Sequence, residues 1–179
     1  MSVMMMNESL VHGVGAVALL GQLISVASPN WTQFEGGSNM GLRSMCSTVG
    51  EHSVCKDNAE VGDAKKHVMA AQAFAIISVV LSILGALAVY APRLKFAPSS
   101  VSLPGLPHVS VFAISALCGL IANTIWAVHV SKDHAQMGGK LGWAYWVSLV
   151  SNLALLVYSG GLAKLLGLVG VGGSSSFVY

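Results

Sequence analysis

Residues 30–55 read NWTQFEGGSNMGLRSMCSTVGEHSVC, a polar stretch with two cysteines that separates two long apolar runs. If Cys46 faces Cys55 on antiparallel strands, then Ser47 pairs with Val54, Thr48 with Ser53 and Val49 with His52. Gly50-Glu51 is left as a two-residue turn. Glycine in the first central position is what a type II′ hairpin requires, and Thr, Val and Ser suit the arms. Disulfide and turn therefore select the same register independently. Closing a loop of about ten residues stabilises such a hairpin by roughly 2.5–3 kcal/mol on the chain-entropy model. A β-branched residue is disfavoured where φ is positive. Gly50→Val is thus expected to cost on the order of 1–2 kcal/mol; unchanged surface expression and melting temperature would rule out this turn.

Outward from this stretch the chain is apolar. Of 179 residues, 54% are hydrophobic and 9% charged, and the mean hydropathy is +0.71. Soluble domains carry about 25% charged residues, so this chain needs lipid as a solvent. Four runs reach the ~18 residues that cross a bilayer: about 10–28, 68–91, 109–130 and 141–162. The flank Met1–Ser9 has no Lys or Arg and the first apolar core exceeds a signal peptide's ~7–15 residues, so run one reads as a retained helix. Outer loops are expected over 29–67 and 131–140, a proline-rich inner connection over 92–107, and a Gly/Ser-rich cytoplasmic tail over 167–179. The whole chain, 1–179, reads as a single membrane domain.

Basic residues do not orient the spans. Arg93 and Lys95 balance Lys132 and Lys140, and the positive-inside rule needs an imbalance. A loop disulfide persists on the oxidising side, which puts the cysteine loop outside and both termini in the cytoplasm. The plasma membrane is the expected location. Asn30-Trp31-Thr32 is a glycosylation sequon on that outer face, close to the membrane. Small residues recur at helical spacing: Ser78, Ser82 and Ala86; Ser115 and Gly119; Ala144, Ser148 and Asn152. Close backbone approach at small residues holds membrane helices together, and two readings stay open, a seam inside one bundle or a seam between copies.

Chemistry is sparse. The net charge of +2 does not suggest nucleic acid. There is no CxxC, and Cys118 reads as a small buried hydrophobe. Asp133-His134 reads as an exposed turn, and His12 and His129 sit near span ends. Asn123 and Asn152 can hydrogen-bond between helices. No Asp or Glu lies inside a span, which argues against a proton relay. The chain is therefore not expected to be an enzyme: no catalytic residues, no cofactor and no metal site are expected.

Trp31, Gly41-Leu42, Cys46 and Cys55 resemble the claudin signature of Trp, Gly-Leu-Trp and two cysteines, placed as in that family between spans one and two. Span two, from Met69, is similar to the claudin second helix. Leu141-Gly-Trp-Ala-Tyr-Trp resembles claudins and calcium-channel gamma subunits. The likeness covers about residues 10–165 and includes peripheral myelin protein, whose short outer loop this one approaches. Arg43 stands where the signature has its second Trp, Gln72 where many claudins have Arg, and the chain ends Phe177-Val178-Tyr179 where many end Tyr-Val.

The resemblance implies an all-α transmembrane fold: a left-handed four-helix bundle with a small extracellular antiparallel β-sheet, most strands coming from the first loop and one from the second. Trp31 would lie at the sheet's membrane-facing side, or else act as an interfacial belt residue. It also implies a structural or adhesive protein at cell–cell junctions, self-associating or contacting partners through the sheet. The alternative is a gamma-like auxiliary subunit of an ion channel or receptor. Partners are membrane lipids and membrane proteins, as a homo-oligomer or larger complex. Arg43 has two readings, an interfacial side chain reaching lipid phosphate or a contact for an acidic partner surface.

Overall fold

The computed structural model describes residues 8–49, 52–57, 65–90, 108–130 and 138–165. The hairpin turn Gly50-Glu51, the inner connection 92–107, the turn containing Asp133-His134 and the tail 167–179 lie outside these.

The described chain is mostly helical. Helix α1 spans Glu8–Ala27, α2 Lys65–Tyr90, α3 His108–Ile125 and α4 Trp143–Leu165. Helix α1 stops before Pro29, whose ring cannot continue it. At 1.5 Å per residue, the 26 residues of α2 reach about 39 Å, beyond the ~30 Å of bilayer hydrocarbon. Among the described residues, three helices are long and apolar enough to cross a membrane, over Leu10–Ala27, Lys66–Tyr90 and Val109–His129. Helix α4 stands outside that set. It also begins later than expected: Lys140-Leu141 is a strand, because Leu141 pairs with Thr32. Helix α3 closes in a π-helical turn, Trp126–Val130.

Five short strands form one antiparallel sheet: β1 (Thr32–Gln33), β2 (Asn39–Met40), β3 (Ser44–Val49), β4 (His52–Asp57) and β5 (Lys140–Leu141). Their order is β4-β3-β2-β1-β5. Four strands come from the segment between α1 and α2 and one from that between α3 and α4.

The helices pack chiefly as α2 on α3, α1 on α4 and α3 on α4. Two apolar clusters fill the interior. One lies under the sheet around Trp31, Met40, Leu42, Ala71 and Trp126; the other, at the far end, is built on Val11, Phe112, Leu155 and Tyr158. Between them runs a polar layer. Gln22 donates to Asn152 Oδ1 at 2.6 Å and Ser78 Oγ at 3.1 Å, and accepts from Ser82 Oγ at 2.7 Å. Ser82 and Ser115 share a hydrogen bond of 2.6 Å. Ser148 donates to Asn123 Oδ1 at 2.9 Å. A Cβ on Gly119 would overlap the Asn152 carboxamide, so this glycine makes room for the layer. The stripes of small residues thus face inward: Ser78, Ser82, Ser115, Ala144, Ser148 and Asn152 are all buried, which places the seam within the chain. Cys118 is free and only half-buried.

Outward faces of the helices are apolar and exposed, as at Val17 (70%) and Val157 (67%). Such faces need lipid around them.

Candidate interaction surface

The sheet is held by three separate devices, each built from the residues around the signature cysteines. The first is the hairpin. Strands β3 and β4 pair as Cys46↔Cys55, Ser47↔Val54, Thr48↔Ser53 and Val49↔His52, the register that the cysteines and the turn select. Cys46 and Cys55 form a disulfide with Cα atoms 4.0 Å apart. That short separation marks a pair that exchanges no backbone hydrogen bonds, which lie near 4.5 Å against 5.5 Å for bonded pairs. The Cys55 N–H and C=O therefore point away from β3, and by alternation so do those of Ser53 and Asp57. Strand β4 ends the sheet, so these groups form an open edge. His52, Val54, Cys55, Lys56 and Asp57 are all exposed.

The second device is Trp31. It is fully buried, which excludes an interfacial belt role. Its indole N–H donates to the Ser25 carbonyl in the last turns of α1 at 2.7 Å. Its ring meets Trp126 edge-on at 5.3 Å and Tyr145 at 6.1 Å. Trp126 in turn donates to Thr32 Oγ1 at 3.1 Å, so the sequon's hydroxyl is buried beneath the sheet. Backbone contacts complete the junction: Gly142 N–H donates to Trp31 O at 2.8 Å and Ala144 N–H to Asn30 O at 3.1 Å. The second satisfies a first-turn donor of α4 that has no partner within its helix. One segment thus ties the sheet to α1, α3 and α4.

The third device is Gly41-Leu42-Arg43. A Cβ on Gly41 would stand 2.5 Å from Pro29 Cα and 2.6 Å from Ser28 O. Only glycine lets this strand end press against the exit of α1. Leu42 is buried in the cluster under the sheet, and Arg43 is exposed. Among the described residues Arg43 makes no hydrogen bond or ion pair. At the other edge Lys140 lies 3.7 Å from Glu35, both well exposed; a surface pair of this kind contributes little.

Sequence reasoning named Trp31, Gly41, Leu42, Arg43, Cys46 and Cys55, and the structure brings them into one sheet and its root. It missed Trp126, which anchors the sheet to α3, and Gln22, which joins the polar layer. It also missed the pairing of His129 with His67, whose rings stack at 4.2 Å. The signal for Gln22 was available, as the one carboxamide in an apolar first span. His12 shares a hydrogen bond of 3.1 Å with Tyr90 Oη. Among the described residues no three His, Cys, Asp or Glu side chains gather as a metal site.

No curated protein matches the chain in sequence. The family model described as PMP-22/EMP/MP20/Claudin family matches residues 1–163. With that match over most of its length, a disulfide-closed hairpin between its first two helices and helices able to span a membrane, the chain belongs to the PMP-22/EMP/MP20/Claudin family and is a claudin-like membrane protein.

Proposed function

We propose that this protein is a structural, adhesive component of the plasma membrane that associates with copies of itself through its extracellular sheet, with no enzymatic activity. In this reading all four helices cross the bilayer as a left-handed bundle, both termini are cytoplasmic, and at cell–cell contacts the sheet pairs with that of a neighbouring copy in the same membrane. Helix α4 takes its place as the fourth span: Trp143 and Trp146 are exposed at its sheet end, where amphipathic rings favour the headgroup region.

The observation that carries the reading is the open edge of β4. An unpaired strand edge is a template for pairing with another chain, and main-chain hydrogen bonds across such an edge supply affinity. Nothing among the described residues covers it. Proline at position 53 removes an outward donor and leaves the β3 ladder intact. Energy transfer between two differently tagged copies in one membrane tests the edge. Ser53→Pro is expected to lower the transfer to background with surface level unchanged. Undiminished transfer would sink the reading, and recovery of a larger channel in place of a second copy would decide for an auxiliary subunit.

A further inference from the structure

We infer that the groove between α1 and α2 at the sheet end is a binding site for one glycerophospholipid of the outer leaflet, its phosphodiester on Arg43 and an acyl chain lying between the two helices. The inference rests on the membrane-spanning reading above and is independent of whether the sheet is adhesive.

The groove exists because of how the helices pair. Helix α1 packs mainly on α4 and α2 mainly on α3, which leaves their facing sides apart near the sheet. The space between them measures about 540 Å³. Its lining is polar at one end and apolar along the rest. Arg43 and Gln72 stand at the mouth, and Leu23, Val26, Ile76 and Val79 line the length. Gln72, Ile76 and Val79 follow one another at helical spacing on one face of α2. They cover about 10 Å along its axis, within the ~15 Å of hydrocarbon in one leaflet. Leu23 and Ile76 are exposed, so the groove opens sideways, towards lipid.

Charge selects the occupant. Among the described residues no Asp or Glu lines the groove, and Arg43 has no partner. A guanidinium presents paired donors that match phosphate oxygens, and the Gln72 amide can supply a further donor. A phosphodiester followed by an acyl chain has the same order of polarity as the groove, read from the mouth inward. An apolar transmembrane helix of a partner would fill the apolar length and offer the guanidinium at the mouth no anion, whereas a phospholipid meets both ends at once.

The test uses the full chain, purified in detergent and incorporated into nanodiscs of phosphatidylcholine that carries a photoreactive group on one acyl chain. After illumination, cross-links are mapped by peptide mass. They are expected to concentrate on residues 23–27 of α1 and 72–79 of α2, above the yield at the outward-facing Val17 and Leu87. Arg43→Gln is expected to lower the groove yield about tenfold, the loss of a charge-assisted pair. Leu23→Trp, which fills the apolar length and keeps the Arg43 charge, is expected to lower it similarly. Lys56→Gln, which removes a cation elsewhere on the sheet, is expected to leave it unchanged. Retained disulfide and melting temperature show that each variant is folded. Equal yield at all lipid-facing positions, or a groove yield insensitive to both Arg43→Gln and Leu23→Trp, overturns the site, as does a protein cross-linked in the lipid's place. A chain that stays in solution without detergent overturns the membrane reading itself, whereas one that needs detergent yet shows no groove cross-link overturns only the lipid site.

Discussion

Trp31→Ala is expected to lower the stability of the purified protein by about 3–5 kcal/mol, the range for removing a buried tryptophan. The residue has no exposed surface, so the whole indole becomes a cavity at the root of the sheet. Two edge-on ring contacts, to Trp126 and Tyr145, go with it. So does the hydrogen bond to the Ser25 carbonyl. That carbonyl keeps a longer bond of 3.3 Å from Ser28 N–H, which softens this part of the loss. Trp31→Phe isolates the parts: it keeps most of the volume and removes the indole donor, and about 1–1.5 kcal/mol is expected. Thermal unfolding in detergent, read beside surface expression, checks both. A wild-type melting temperature for Trp31→Ala would mean that the sheet is not anchored through this residue.

The parts of the molecule that the sequence shows and those it hides divide along a physical line. Apolar runs locate the helices closely, since hydropathy over about 20 residues is a strong signal. The hairpin is legible because two constraints, the cysteine pair and Gly50, agree on one register. Strand β5 is not legible: Lys140-Leu141 is two residues long, and its partner strand lies in a distant part of the chain. Hydropathy extends span four over Leu141 for the same reason. The π-helical turn at Trp126–Val130 leaves no mark in a continuous apolar run. Which face of each helix points inward is hidden as well, because lipid is as apolar as the interior and no amphipathic stripe is needed. Polar side chains are the exception, since a donor or acceptor in hydrocarbon must find a partner. Ser78, Ser82, Ser115 and Asn152 therefore mark the inward face, but two readings of such stripes remain in a sequence until the partners are seen. Gln22 supplies that partner from α1.

Gln22 carries the second large effect. It is the point at which α1 joins the polar layer, with three side-chain hydrogen bonds to α2 and α4. Hydrogen bonds between membrane helices are worth about 0.6 kcal/mol each on average and reach about 1.7. Gln22→Leu removes all three at similar volume, so a loss of about 2 kcal/mol is expected. The remaining groups fare differently. The Ser82 hydroxyl keeps Ser115 as a partner, whereas Asn152 Oδ1 retains only a long contact of 3.5 Å with Ser78. The unmet acceptor should therefore be on α4, and Gln22→Leu combined with Asn152→Leu should cost less than the sum of the two single changes. A double-mutant cycle in nanodiscs measures this coupling directly. A coupling near 0.6 kcal/mol or above shows that the two carboxamides act as one joint between α1 and α4. Strict additivity would mean that the Gln22–Asn152 bond contributes nothing to the docking of α1 on α4, and that apolar packing such as that of Val11 and Ala18 with Leu155 and Tyr158 holds these two helices together.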